Sequence, residues 1–310
     1  MKIYDTPSTI FTPPSLTSDL ITLTYDLCPM KPSTAVSIVV HKTPPEQLQK
    51  ALECVLRSPE VESVFVVDNN PDNSLEKSME TADRIYYIHV DNNGFGAGHN
   101  IAIRQTLNRH IPYHLVMNAD VAWEGDIISP IVRFMNEHQQ VGLLSPKVRY
   151  PDGVLQYACR MLPTPLDLFA KRFLPKKLTE KRMKRYLLAG IDHDKPFNVP
   201  YLLGSFLFFR SDALRSEGLF DERFFMYPED IDISRRIHRH WTTLFWPEVE
   251  ITHHHAAASR KNRRMFRIHF FNMIRYFNKW GWFFDKERRL FNRQLLSSAP
   301  RTENPPPGRG

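Results

Sequence analysis

The pattern of apolar and polar positions changes abruptly at Val36. Before it, residues 1–34 are rich in Pro, Thr and Ser with no sustained apolar period, and read as an N-terminal extension. VSIVVH (36–41) is a continuous apolar run of the kind a strand buried on both faces shows. Pro44-Pro45 then opens a helix whose apolar positions, Leu48, Ala51, Leu52 and Val55, fall on one face. The unit repeats with VESVFVV (61–67) as a strand, NPDNS (70–74) as a turn and RIYYIHV (84–90) as a strand. A helix over Ala97–His110 and a strand at HLVMN (114–118) follow. Strands alternating with helices at this interval predict an α/β fold with a mainly parallel, doubly wound sheet, whose ligands bind at the carboxyl ends of the strands.

Beyond Gly142 the regularity weakens, although GSFLFF (204–209) and LFWPEVEIT (244–252) still read as apolar strands. Arg263 to Leu290 places Phe266, Phe270, Ile274 and Phe277 at helical spacing with cationic residues opposite, which predicts an amphipathic helix. Such a helix suits either an anionic membrane surface or a seat on the preceding domain.

The informative polar clusters are those that follow strands. Asp68-Asn69-Asn70 and Asn118-Ala119-Asp120 sit at two strand ends, where a carboxylate can accept from a nucleoside or ligate a hard cation on a diphosphate. Turn propensity alone explains either one equally well. Asn93-Gly94-Phe95-Gly96-Ala97-Gly98-His99-Asn100 opens a helix directly after a strand, a place where backbone amides approach phosphate. Its G-x-G-x-G spacing has His99 where the third glycine of a dinucleotide fingerprint would fall, so it is poor support for an NAD site. In Pro228-Glu229-Asp230-Ile231-Asp232 three acids crowd a helix start, which helix-end electrostatics would also favour. His253-His254-His255 follows a strand, and alternation puts His253 and His255 on one face and His254 on the other.

Composition narrows the partners. The 310 residues are 42% hydrophobic and 24% charged, which excludes wholesale disorder. The net charge of +7 is concentrated between Arg260 and Arg293, where eleven cations face Asp285 and Glu287. Cys28, Cys54 and Cys159 make no disulfide or zinc pattern and fit a reducing cytoplasm. No stretch approaches the roughly 18 apolar residues of a spanning helix, so the expectation is a cytoplasmic protein, free or held at the inner face of the cell membrane.

Taken in order, VSIVV, VVDNN, NNGFGAGHN, VMNAD, GSFLFFRSDAL, GLFDERFFMYPEDIDISRR and ITHHH resemble a family 2 glycosyltransferase, in particular the rhamnosyltransferase-like branch of bacterial surface polysaccharide synthesis. The resemblance implies a GT-A type, Rossmann-like sheet over 35–260 with a basic aromatic helical segment at 261–294 and a disordered tail at 295–310. It implies an inverting transfer of sugar from a nucleoside diphosphate, deoxythymidine-diphosphate rhamnose in the branch it most resembles, to a hydroxyl of a glycan or lipid-linked glycan. Carried over by position, Asp68, Asn69, Asn93, Gly94, Asn100, Asn118 and Asp120 hold the donor. Asp120, His253 and His255 hold a divalent metal, Mn2+ or Mg2+. Asp230 of the Glu229-Asp230 pair is the general base. His41-Lys42-Thr43 and Ala256-Ala257-Ala258 depart from the family pattern. A sugar nucleotidyltransferase and a basic nucleic-acid-binding protein are the rival readings; the first expects a glycine-rich, lysine-bearing first strand, and the second leaves 218–236 without a role, so no nucleic acid partner is expected.

Overall fold

β-branched residues in short unbroken runs stack most readily as central parallel strands, and these runs do so here. The computed structural model describes residues 32–73, 75–76, 83–168, 176–254, 263–303 and 308–309; residues 1–31 of the expected N-terminal extension and His255 lie outside them, while Thr34, placed in that extension, begins β1. Chain order runs β1 (Thr34–Val40), α1 (Pro45–Leu56), β2 (Val61–Asp68), β3 (Ile85–His89), α2 (Phe95–Asn108), β4 (Tyr113–Met117), β5 (Val121–Ala122), α3 (Ile128–Glu137) and β6 (Val141–Arg149). There follow β7 (Leu155–Gln156), β8 (Cys159–Arg160), α4 (Lys176–Tyr186), β9 (Phe197–Asn198), β10 (Tyr201–Leu202), β11 (Phe206–Arg210) and α5 (Ser211–Glu217). The chain closes with α6 (Glu229–Ile237), β12 (Thr242–His253), α7 (Arg263–Trp280), α8 (Lys286–Ser298) and a short β13 (Gly308–Arg309) that pairs in parallel with β7.

The sheet order β6-β11-β4-β1-β2-β3 makes β1 central. Val36 and Ile38 pair in parallel with Val64 and Val66 on one side and with Leu115 and Met117 on the other. Leu48, Ala51, Leu52 and Val55 of α1 are buried against this layer, as their spacing predicts. The doubly wound expectation holds for the first half only. β11 enters antiparallel between β4 and β6, pairing Phe206 with Met117 and Phe208 with Leu144. That inversion brings the N-terminal end of β11 to the carboxyl end of β4. β12 lies parallel to β6 with an irregularity between Trp246 and Glu250, and its far end turns to pair His253 with Val121 of β5.

The C-terminal segment differs from expectation in two respects. Its helix does not run on to Leu290; it breaks at Gly281, whose φ of +99° lies in the left-handed region that glycine alone adopts freely. The buried stripe is also rotated from the expected one: Asn272, Met273, Tyr276 and Phe277 are buried, while Phe266, Phe270 and Ile274 are half-buried. Residues 295–302, expected to be disordered, pack as structure. Leu295 and Ala299 are buried, the Asp192 amide donates to the Pro300 carbonyl at 2.8 Å, and Arg301 bridges Ile191.

What holds α7 and α8 in place is a buried charge network around α6. The Arg235 guanidinium, 1% exposed, donates to both oxygens of Asp285 at 2.7 Å and to Glu287 at 2.7 Å, and stacks 4.1 Å from the Trp280 ring centroid. Asp232 accepts from Trp280 Nε1 at 2.8 Å and Arg236 Nε at 2.9 Å, and pairs with Lys279 at 2.7 Å. Removing one partner of such a network leaves a buried charge uncompensated. Arg235→Ala is therefore expected to lower unfolding free energy by about 3–5 kcal/mol; chemical denaturation measures this, and a loss under about 1 kcal/mol would show the network to be effectively solvated.

Candidate active site

Two acidic strand tips lie on one edge of the sheet. β2 ends at Asp68 and β4 ends one residue before Asn118-Ala119-Asp120, with β1 between them. Two strand spacings separate them by roughly 10 Å. Asp68 is fully buried: its Oδ1 accepts the Asn70 amide at 2.8 Å and its Oδ2 the Tyr87 hydroxyl at 2.7 Å. Asn69 is buried beside it. His41, one of the departures from the family pattern, is bonded through Nδ1 to the Asn69 carbonyl at 2.9 Å.

The glycine run forms the start of α2 at the same edge. Gly94 caps the helix at φ +104°, and the Phe95 amide donates to the Phe225 carbonyl at 3.0 Å. Asn93, just before the cap, is exposed. A buried polar chain fastens α2 to the sheet: Thr106 Oγ1 to His114 Nδ1 at 2.7 Å, His114 Nε2 to Ser37 Oγ at 2.8 Å, and Ser37 Oγ to His99 Nδ1 at 2.6 Å. Burial pushes the His99 imidazole well down and that of His114 to about 3, so both bond as neutral rings. Asn100 is bound into the fold at both ends of its amide. Its amide oxygen accepts the Phe220 amide at 3.0 Å and its nitrogen donates to the Phe220 carbonyl and to Glu222, both at 2.9 Å. It thereby clamps the 218–222 turn to the start of α2.

That turn leads into Phe225-Met226-Tyr227-Pro228 and α6. Tyr227 sits at φ +94°, a strained conformation for a bulky residue, held with its ring 4.6 Å from His269 of α7 while Asn272 donates to the Met226 carbonyl at 3.0 Å. Pro228 is the cap itself, one position earlier than its expected place in the first turn. Asp230 follows at 6% exposure. Its Oδ2 accepts the Gly204 amide at 3.0 Å and the Tyr201 hydroxyl at 3.4 Å, and its Oδ1 the Ile231 amide at 2.8 Å. Burial raises this carboxyl to about 6 against the opposing pull of those bonds and of Arg160. Glu229, also buried, is driven up by burial and then by the charge of Asp230, and its Oε2 meets no polar partner. Both carboxyls of the pair are thus held above the usual carboxylate range, chiefly by burial, and they titrate as a coupled pair.

The link to the other acids runs through Gly204-Ser205. The Asn118 amide donates to the Ser205 carbonyl at 3.0 Å, which puts the Gly204 contact of Asp230 next to the β4 tip. Asp120 faces His253: the Nε2 of His253 lies 3.2 Å from Asp120 Oδ1, and its Nδ1 is bonded to Gln156 Oε1 at 2.8 Å. Gln156 and Asp120 thus hold the His253 ring between them, one at each nitrogen. An imidazole and a carboxylate side by side are donors of the kind a divalent cation takes, although among the described residues no third His, Cys, Asp or Glu joins them. His254 is exposed, as strand alternation requires; His255 lies outside the described residues.

Asp68, Asn118, Asp120 and Asp230 thus occur along one sheet edge, joined by the start of α2 and by Gly204. Sequence reasoning missed Tyr201, Arg160, Gln156 and Tyr87. Tyr201 and Arg160 pair across the small β8–β10 ladder, and Gln156 lies on a two-residue strand, elements too short to leave a periodic signal. Gly204 was legible as the start of an apolar strand but not as an amide aimed at Asp230.

The model of glycosyl transferase family 2 matches residues 35–217. The N-acetylglucosaminyl-diphospho-decaprenol L-rhamnosyltransferase of Mycobacterium tuberculosis is 30% identical over 155 residues, 48% of this chain and 48% of that protein. The chain therefore spans about half the length of this relative. Rhamnosyltransferase WbbL of Escherichia coli K12 is 24% identical over 249 residues, 77% of this chain and 90% of that protein. Among solved structures, GalNAc-T7 with UDP, GalNAc and Mn2+ superposes with a TM-score of 0.53 at 13% identity, over 73% of this chain and 44% of that one. TarS of S. aureus superposes with a TM-score of 0.53 at 12% identity, over 85% of this chain and 42% of that one. At such identities the likeness bears on the fold, which is of the GT-A type.

A Cβ on Gly94 would stand 2.3 Å from the Phe225 carbonyl oxygen, whereas one on Gly125, also at positive φ, would meet nothing within 4 Å. Gly94→Ala is expected to cost about 1–3 kcal/mol more than Gly125→Ala. Paired thermal melts test this, and equal losses would mean that the approach of α2 to the 225–228 turn is slack.

Proposed function

This chain belongs to glycosyl transferase family 2, and we propose that it moves a sugar, with inversion, from a nucleoside-diphosphate sugar to a hydroxyl of a glycan or lipid-linked glycan in polysaccharide synthesis. The observation that carries this reading is Asp230, a buried carboxyl raised to about 6 beside the sheet edge that bears Asp68 and Asp120. The rhamnosyltransferase relatives support rhamnose as the sugar, and deoxythymidine-diphosphate rhamnose is the donor to test first. Two buried free thiols, Cys54 and Cys159, support a reducing, cytoplasmic setting.

In this reading Asp68 and Asn69 receive the nucleoside, and Asn93, Gly94 and Asn118 line the path of the diphosphate. Asp120 and His253, with His255 as a further candidate, would hold Mn2+ or Mg2+. When bound, such an ion offsets the negative charge that develops on the departing diphosphate. Asp230 takes the proton of the acceptor hydroxyl as its oxygen forms the new bond to the anomeric carbon, while the bond to the diphosphate oxygen breaks on the opposite face. Gly204 and Ile231 fix the carboxylate through their amides, and Tyr201 fixes it through its hydroxyl.

Three outcomes are expected. Thermal-shift screening of UDP, dTDP and GDP with manganese raises the melting temperature for at least one nucleotide, whereas stabilisation by NAD in their place would contradict the family's chemistry in this chain. Asp230→Asn lowers turnover by about 10²–10⁴ with donor affinity nearly unchanged; retained turnover would assign the base elsewhere. Because the base works ionised, kcat should fall about tenfold per pH unit below pH 6. A profile flat down to pH 4 would remove Asp230 from that role.

A further inference from the structure

The described residues include six exposed large hydrophobic side chains, and four of them, Phe271, Phe283, Phe284 and Leu290, fall within twenty residues of chain on α7, α8 and the turn between them. A fifth, Leu166, belongs to a loop docked on α8: Asn292 bonds both the amide and the carbonyl of Leu162, and Arg288 reaches the Pro163 carbonyl at 3.3 Å. Phe284 is 89% exposed and Phe283 66%. The turn that presents them is built, since the carbonyls of Gly281, Trp282 and Phe283 are taken by Arg288 and Arg289 at 3.0–3.3 Å. Two adjacent phenyl rings are thereby held out in water on a tied backbone.

The charge around them has one sign. Asp285 and Glu287, the two acids between Arg263 and Arg293, both turn inward onto Arg235, and Glu287 also meets Arg239. Arg267, Arg275, Lys286, Arg289 and Arg293 are exposed without an acid among them on these helices. On α8, Lys286, Arg289, Leu290 and Arg293 share one face. Protruding aromatics ringed by cations match an anionic bilayer, with rings at the acyl boundary and cations at the headgroups. We propose that the Phe283-Phe284 turn and the outward face of α8 dock this chain on an anionic membrane surface. The contact differs from an amphipathic helix lying flat, because the apolar stripe of α7 is already used against the domain. Asp285, next to Phe284, holds Arg235, which lies five residues and about 7.5 Å along α6 from Asp230. A hydroxyl carried on a lipid would so be brought near that carboxylate; this last step rests on the glycosyltransferase reading, whereas the membrane contact does not.

The test is vesicle flotation of the full chain with phosphatidylglycerol-phosphatidylcholine and with pure phosphatidylcholine vesicles. The wild type should float with the anionic vesicles and weakly with the neutral ones. F283S/F284S should lower the partition coefficient about tenfold or more, and R289Q/R293Q should lower it and flatten its salt dependence. Nucleoside-diphosphate thermal shift on each variant reports that the fold and donor site persist, so loss of floating with an intact shift separates this proposal from the enzymatic one. No floating of the wild type, or equal floating of F283S/F284S, overturns it. So does a wild-type dimer in size exclusion that F283S/F284S converts to monomer, which would assign the patch to a second copy of the chain.

Discussion

The structure depends on burying a helix that is mostly polar. Of the nine residues of α6, all but Arg236 are buried, and among them are Glu229, Asp230, Asp232, Ser234 and Arg235. Such a helix would be expelled to the surface unless most of its polar groups found partners. Asp230 finds backbone amides and a tyrosine hydroxyl, Asp232 a tryptophan and a lysine from α7, Arg235 the paired carboxylates at the start of α8, and Ser234 the Leu202 carbonyl. Read this way, the C-terminal helices supply the counter-charges that let the acidic helix sit inside.

That burial has a chemical consequence. A carboxylate at a helix start is normally pulled to low pKa by the amides around it, yet desolvation outweighs them at Asp230 and lifts it to about 6. Its neighbour Glu229 is lifted in the same direction by burial and by the charge of Asp230. A carboxyl raised in this way is better matched to accepting a proton than an exposed aspartate would be. α7 braces the strained turn at Tyr227 that delivers the two acids, so the geometry of the pair and its ionisation share one cause.

Much of this was legible in the sequence. The apolar runs at 36–41, 61–67 and 114–118 and the α1 stripe Leu48, Ala51, Leu52, Val55 announce themselves through period, because each element is long enough to repeat it. The ordered motifs located Asp68, Asp120, Asp230 and His253 on one edge. What stayed hidden was set by tertiary contact. Nothing in FLFF says that β11 runs antiparallel, nothing in FGAGHN says that Asn100 faces Phe220 and Glu222, and the period of 263–290, which picks out Phe277, does not show that Met273 and Tyr276 are buried with it while Phe266 and Phe270 are not. Gln156 and Tyr201 reach the site from strands of two residues, where no period exists to be read.

The account stands most directly on the ionisation of one buried carboxyl. Carbon-13 NMR titration of side-chain carboxyls in the full chain, with the Asp230 signal assigned by its loss in Asp230→Asn, should show that group titrating near pH 6. An Asp230 signal that titrates below about pH 4 would mean that α6 is open to water, and the link drawn between its burial and its chemistry would be contradicted.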